Sequence, residues 1–327
     1  MNPLTRIYGT ATALRNMLFD RGVLASRRLE QPVVSVGNLS AGGAGKTPFV
    51  IALGELLQAR GIPFDVLSRG YGRKTSGVRV VAPEGNAAEF GDEPLLIARR
   101  LGVPVIVGES RYDAGRVAEQ KFRSQLHILD DGFQHRSLAR SFDIVLMTER
   151  DFDDKLLPSG RLREPLLSLQ RADAIVLPKD SSTDDSRIEG FIREGKPIWR
   201  VQREIVVRAA PAAPIVFCGL ARPQQFFAQV RAAGITPAAE VEFRDHHAYN
   251  KSDIERLAAL RDQHGAGGFL TTEKDAINLG RLREDLKPLA IAVLSLMIDD
   301  PAGVVDAILS RIAARIAARI AERKSRS

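Results

Sequence analysis

Val33-Val-Ser-Val-Gly-Asn-Leu-Ser40-Ala41-Gly42-Gly43-Ala44-Gly45-Lys46-Thr47-Pro48 reads as an apolar strand, a glycine-rich turn and the start of a helix. A phosphate-binding P-loop requires that order. The glycines let backbone N–H groups close around phosphate oxygens, and the helix N-terminus favours an anion. Lys46 reaches the β/γ oxygens and Thr47 can ligate magnesium. Pro48 is tolerated because the first helical turn has no N–H partner to lose. Ser40, Ala41, Gly42, Gly43, Ala44, Gly45, Lys46 and Thr47 are therefore expected to bind the phosphates of a nucleotide. The match to G-x-x-x-x-G-K-[ST] is incomplete, because its first glycine is here Ser40.

A nucleotide loop needs a magnesium partner at the end of a nearby strand, and Leu126-His-Ile-Leu-Asp130-Asp131 supplies an apolar run ending in two carboxylates. With Thr47, Asp130 and Asp131 are the expected Mg2+ ligands. Asp130 is suited to hold the ion through water, and Asp131 to hold it directly or to orient a nucleophile; the sequence does not divide these duties.

Outward from the loop, short β-branched runs alternate with helical patterns, the rhythm of a mostly parallel sheet flanked by helices in a P-loop NTPase-type α/β fold. Strands are expected at Val33–Val36, Phe64–Leu67, Val103–Val107, Leu126–Leu129, Ile144–Met147 and Ala174–Leu177, and helices at Pro48–Ala59, Glu93–Leu101 and Tyr112–Gln120. The polar stretch Lys179–Gly190 reads as a surface excursion. A second, smaller α/β series begins near Ile215–Cys218, with helices around Pro223–Ala233 and Ser252–Arg261, the latter opened by a Ser252/Glu255 capping box. The expected boundary lies near residue 205, dividing the chain into 1–205 and 206–327.

The composition, 44% hydrophobic and 27% charged over 327 residues, excludes disorder, and a single cysteine, Cys218, excludes an intrachain disulfide or a cysteine zinc site. The net charge of +7 is unevenly placed. Residues 1–30 carry five Arg against Asp20 and Glu30, and residues 311–327 carry five Arg and Lys324 against Glu322, which leaves the body near neutral. Nucleic acid is thus not the expected partner.

No run is long and apolar enough to span a bilayer. Leu4, Ile7, Tyr8, Ala11, Leu14, Met17 and Leu18 nonetheless recur at helical spacing, with Arg6 and Arg15 between them. Such an amphipathic helix packs either on the protein's own core or on a membrane surface. The tail, with Ile308, Ile312, Ile316 and Ile320 every four residues followed by Arg311, Arg315 and Arg319, reads as a basic terminal helix, either solvated, the plainer reading, or lying on lipid.

Taken together, the P-loop with Ser68-Arg-Gly-Tyr-Gly72, Gly91-Asp-Glu-Pro94, Asp130-Asp-Gly-Phe-Gln-His135 and Leu162-Arg-Glu-Pro165 resembles the tetraacyldisaccharide 4'-kinase family, the lipid A 4'-kinases of Gram-negative bacteria. The resemblance extends through Thr271-Thr-Glu-Lys-Asp275, and Ser40 is part of the family's own pattern. It implies transfer of the γ-phosphate of ATP to the 4'-hydroxyl of a tetraacylated glucosamine disaccharide 1-phosphate, giving lipid IVA. It also implies a peripheral protein on the cytoplasmic face of the inner membrane, which favours the membrane reading of residues 4–18; it fixes no oligomeric state.

A sugar hydroxyl is a poor nucleophile, so a carboxylate near the γ-phosphate is the natural proton acceptor. Asp92 sits at an expected helix start, where the dipole keeps a carboxylate ionised and where an ordinary cap is the plainer reading. The resemblance places the base at Asp92 and its partner at His246, a pair expected to meet only when the two domains close on substrate. Arg111 and Arg163 are expected to join Lys46 in stabilising the transferring phosphoryl group. The resemblance also sets Arg69, Tyr71, Glu93, Gln134 and His135 near nucleotide or sugar, and Lys274 and Asp275 against the nucleotide from the second domain. Of the alternatives, a membrane-recruited switch ATPase carries an early loop lysine where this chain has Ala41. A soluble small-molecule P-loop kinase has no use for the N-terminal apolar stripe.

Overall fold

Each expected apolar run of the first half forms a strand, β1 (Val33–Asn38), β2 (Phe64–Ser68), β4 (Val105–Val107), β5 (Leu126–Asp130), β6 (Phe142–Leu146) and β7 (Ala174–Pro178), and a two-residue β3 (Arg79–Val80) adds to them. The rest contributes β8 (Ile198–Val207), β9 (Ile215–Cys218), β10 (Ala239–Glu242), β11 (Phe269–Thr272) and β12 (Leu289–Ile298). The computed structural model describes residues 2–43, 45–181, 187–188, 190–191 and 195–324; Ala44, and residues 182–186 and 189 of the Lys179–Gly190 excursion, lie outside them. The expected strands and helices of the first half all form, with ends shifted by one or two residues.

The strands make one sheet in the order β10-β9-β11-β12-β8-β7-β6-β1-β5-β2-β4-β3. From β8 to β4 neighbours are parallel, and β3 closes that edge antiparallel. The strands β9, β10, β11 and β12 are also mutually parallel, and β12 meets β8 antiparallel over Val201–Val207. β1, β2, β5 and β6 are buried along their whole lengths, as expected of strands covered on both faces. The expected boundary near residue 205 falls inside β8, whose first residues pair with β7 and whose later residues pair with β12, so the sheet is continuous across it.

The helices are α1 (Pro3–Asp20), α2 (Lys46–Ala59), α3 (Ala87–Phe90), α4 (Asp92–Leu101), α5 (Arg111–Lys121), α6 (Glu149–Phe152), α7 (Pro223–Ala232), α8 (Lys251–His264), α9 (Glu273–Leu279) and α10 (Pro301–Lys324). The capping box of α8 is Asn250 with Asp253 rather than Ser252 with Glu255. Asn250 has extended backbone and its side chain accepts from the Asp253 N–H, whereas Ser252 already lies within the first turn.

Two helices depart from their plainer readings. The tail helix α10 is anchored rather than solvated: Val304, Val305, Ile308 and Ile312 join Phe49 and Leu53 in the core of the first half, and Arg311 and Arg315 reach Asp173 at 3.3 and 3.2 Å. In α1 the faces are reversed. Leu4 and Ile7 are 60% and 66% exposed and Leu14 and Met17 also face outward, while Thr5 and Asn16 are buried against the body. Its apolar stripe is thus not spent on the protein's own core.

Candidate active site

The C-terminal ends of β1, β2 and β5, together with the segments that follow them, converge on the phosphate loop. Gly45 caps α2 with φ +87°, a left-handed conformation that β-carbon-bearing residues rarely adopt. Lys46 follows, its Nζ donating to Asn38 Oδ1 at 3.0 Å and lying 3.4 Å from Asp131 Oδ1. Ser40 has no positive φ and forms an isolated bridge to Leu162, so a glycine is not needed at the first consensus position. That bridge, with Ala41 N–H on the Arg161 carbonyl and Arg163 N–H on the Leu39 carbonyl, both at 2.7 Å, stitches the Leu162-Arg-Glu-Pro turn to the loop.

Arg163 is thereby delivered to the phosphate site. Its guanidinium grips Asp131 through two bonds of 3.1 and 3.0 Å and also donates to Asn38 Oδ1. Burial pushes the Asp131 carboxyl up, but Lys46 and Arg163 outweigh it and bring it down to about 2. Asp130 goes the other way: burial first, then Glu93 and Asp131, raise it to about 7. Its Oδ2 accepts from Ser68 Oγ at 3.1 Å, while its buried Oδ1 has no hydrogen-bond partner among the described residues. Two adjacent carboxylates thus sit in opposed electrostatic environments.

Asp92 is 4% exposed at the start of α4, with Oδ1 accepting its neighbour's N–H at 2.8 Å. Gly91, at φ +89°, lets the Ser68-Arg-Gly-Tyr-Gly72 loop lie against this helix start, where a β-carbon would stand 2.9 Å from the Tyr71 carbonyl. Across the cleft His246, itself at φ +57°, places Nδ1 2.7 Å from Asp92 Oδ2, and Asn278 donates to the same oxygen at 3.2 Å. Lys274 Nζ lies 3.2 Å from His246 Nε2, 3.0 Å from Asp245 and 3.8 Å from Asp92. Burial raises Asp92, but His246, Lys274 and Asn278 reverse it, leaving the carboxyl below its ordinary value. The Asp92 bond in turn raises His246 above its own. The pair is already in contact, so the closing movement expected from the sequence is not needed to form it.

Arg111, 6% exposed at the start of α5, donates to the Gly108 and Glu109 carbonyls and has its pKa lowered by burial, then by Arg69. Asp131 and Asp130 act on it in the opposite sense, which sets it beside the same carboxylates. Gln134 donates to the Asn38 carbonyl at 2.9 Å, and His135 is brought down to about 4 by burial and by Arg111. Tyr71 presents its ring 5.4 Å from that of His246.

Asp275 does not face the cleft. Fully buried, it accepts from Gly219 N–H and Tyr249 hydroxyl at 2.8 Å and from Thr272 hydroxyl at 2.6 Å, bracing the second half internally. Arg203, which no motif singles out, reaches from β8 to the phosphate loop, where a β-carbon on Gly45 would strike its guanidinium. Its pKa is lowered by burial and by Arg222, and Arg222 also feels Arg161 and Arg150. A cluster of arginines therefore flanks the loop on the β8 side. It lay outside sequence reasoning because a lone Arg in a strand carries no local signal.

The model of the tetraacyldisaccharide-1-P 4'-kinase family matches residues 1–313. A tetraacyldisaccharide 4'-kinase from Koribacter versatilis is 48% identical over 95% of this chain and 98% of its own length, and one from Aquifex aeolicus is 38% identical over 85% and 88%. The crystal structure of the "apo" form of LpxK from Aquifex aeolicus in complex with ATP superposes with a TM-score of 0.76 at 33% identity, over 95% of this chain and 98% of that one. With the family model spanning nearly the whole sequence and relatives this similar, the chain belongs to the tetraacyldisaccharide-1-P 4'-kinase family.

Proposed function

We infer that the protein is an ATP-dependent kinase that moves the γ-phosphate of ATP to the 4'-hydroxyl of tetraacyldisaccharide 1-phosphate, forming lipid IVA for lipid A biosynthesis. The observation that carries the chemistry is the 2.7 Å contact of Asp92 with His246, with Glu93, the residue after Asp92, acting electrostatically on Asp130 beside the phosphate loop. A proton acceptor therefore lies within electrostatic reach of the phosphate site.

Asp92, kept ionised by its partners, takes the proton of the sugar hydroxyl as it attacks phosphorus; His246 orients the carboxylate or passes the proton on. Lys46, Arg163 and Arg111 offset charge on the transferring group. The unpartnered, buried Oδ1 of Asp130 and its raised pKa fit a bound cation, since a positive charge relieves both. Thr47, Asp130 and Asp131 would hold Mg2+, which when bound would neutralise charge on the β- and γ-phosphates.

The same reading makes the protein peripheral on the cytoplasmic face of the inner membrane, with residues 1–205 as the P-loop kinase domain and residues 206–327 as a smaller domain supplying His246. Its support is the outward apolar stripe Leu4, Ile7 and Leu14 beside Arg6; among the described residues no helix is long and apolar enough to cross a membrane.

The test is transfer of labelled γ-phosphate from ATP with Mg2+ to tetraacyldisaccharide 1-phosphate in detergent micelles, comparing the parent with Asp92→Ala and Lys46→Ala. A 4'-phosphorylated product lost in both variants is expected; a folded, ATP-binding parent that forms none overturns the assignment. For the membrane part, an Ile7→Ser/Leu14→Ser double variant is expected to lose partitioning into anionic vesicles, and unchanged partitioning refutes it.

A further inference from the structure

The reversed packing of α1 raises the question of what its inward, polar face does. Asn16 Nδ2 donates to Glu164 Oε2 at 2.7 Å, and Glu164 is 1% exposed and also receives Arg171 at 2.8 Å. The Tyr8 hydroxyl donates to the Arg163 carbonyl at 3.0 Å. Thr5 and Ser159 hydroxyls share a 2.6 Å bond, fastening the start of the helix to the loop that leads into the same turn. The other anchor points run to the Asp130-Asp-Gly-Phe-Gln-His loop: Arg15 donates to the Gln134 carbonyl at 2.8 Å, and Arg136 returns a bond to the Asn16 carbonyl at 3.0 Å. Arg171, held by Glu164, lies over the Phe133 ring at 4.5 Å.

Every one of these bonds ends on, or next to, one of the two segments that bring Arg163 and Asp131 together. A helix serving only to present an apolar stripe has no need of a buried polar bond such as Asn16–Glu164, which costs desolvation, or of the four part-buried or exposed bonds beside it. Placed here, they hold the Arg163 carbonyl through Tyr8 and the side chain of the next residue through Asn16, while the Leu39 carbonyl after β1 holds the Arg163 N–H.

We propose that Asn16 and Tyr8 are positioning residues, through which the inner face of α1 fixes Arg163 in its two-bond grip on Asp131 and its contact with Asn38. The proposal rests on the kinase reading and extends it: the helix whose outer face is offered to lipid also sets a cation of the phosphoryl-transfer site. A small displacement of such a cation reduces turnover without altering how lipid is captured.

Asn16→Ala and Tyr8→Phe, each alone and combined with Arg163→Ala, separate this role from lipid capture. The readouts are kcat, KM for the lipid in mixed micelles, and partitioning into phosphatidylglycerol vesicles. Loss of the Asn16 bond is expected to lower kcat roughly tenfold, with KM and partitioning within about twofold of the parent. Asn16→Asp is expected to be worse than Asn16→Ala, because it sets a second carboxylate against buried Glu164. In the Arg163→Ala background neither substitution is expected to lower kcat further. A rise in KM or loss of partitioning with kcat preserved, or full additivity with Arg163→Ala, overturns the proposal. Should Asn16→Ala fail to fold, Tyr8→Phe, which removes one oxygen, carries the same comparison with a several-fold effect expected. A parent that transfers no phosphate refutes the kinase reading itself; an active parent with unaffected variants refutes only the positioning role.

Discussion

Asp92 and His246 are 154 positions apart in sequence, yet the His246 ring nitrogen stands 2.7 Å from the Asp92 carboxylate. One residue comes from the first turn of a helix on the P-loop half, the other from the loop after β10. Their contact fixes the carboxylate's orientation, and with Asn278 and Lys274 it holds the group ionised despite burial. Asp92→Asn and His246→Ala are each expected to lower kcat by roughly 10²–10⁴-fold, with ATP affinity little changed. Because the two act as a unit, the double variant should lose little more than the worse single one. Two independent, multiplying losses in steady-state assays would argue against the pair.

Lys274 faces the other ring nitrogen of His246 at 3.2 Å, where its charge opposes protonation of the ring while Asp92 favours it. The net result is a His246 pKa raised above the ordinary 6.5. If His246 must be neutral to accept or relay the proton, the rate climbs with pH and its acid limb lies above that value. Removing the opposing charge with Lys274→Met raises the histidine further, so the limb is expected to move to higher pH. A limb that stays in place, or moves down, in the pH profile of kcat would exclude His246 as its source.

Arg203 lies against Gly45 from β8, with Arg222 close enough to lower its pKa. Cations crowded beside the N-terminus of α2 suit a polyphosphate. Arg203→Ala is expected to raise KM for ATP roughly tenfold with a smaller effect on kcat. Gly45→Ala should do more damage, since it adds left-handed strain and a collision with the same guanidinium. Calorimetric titration with ATP checks both, and unchanged ATP affinity in Arg203→Ala would place that residue outside the nucleotide site.

Away from the cleft, His127 on β5 is completely buried, 2.7 Å from Asp65 on β2 and 3.5 Å from Glu119 on α5, which Arg116 also contacts. Burial pushes the imidazole down, but Asp65 and then Glu119 outweigh it and raise its pKa. A raised folded-state pKa adds stability that is complete below the unfolded value and is lost as pH climbs through the folded one. Melting temperature is therefore expected to fall from about pH 6 to about pH 9 more steeply in the parent than in His127→Gln. Parallel curves would show that the pair is not linked to folding.

The phosphate loop, the Asp130–Asp131 pair and the strands of the first half were legible because each is written in a few adjacent residues. Glycines permit the turn, an apolar run makes the strand, and the terminal carboxylates follow from the strand's end. The strands β8 and β12 were missed for the converse reason. Half-buried and mixed in pattern, they are defined by what they pair with, and β8 becomes a bridge between the halves only because one stretch finds β7 and the next finds β12. The box at Asn250 and Asp253 was misread by two positions because the same short pattern recurs twice there, and backbone conformation chose between them.

By itself, then, the sequence determined the family, the nucleotide loop and the residue types available for chemistry, since these depend on local backbone freedom and short motifs. Only tertiary structure decided that Asp92 meets His246 without a closing step, that Arg203 leans on the loop, that Asp275 turns inward, and that α1 docks by its polar side. Each of these joins groups far apart in the chain, or chooses which face of an element is buried. Such choices are made by packing and pairing across the whole sheet, to which no single stretch of residues has access.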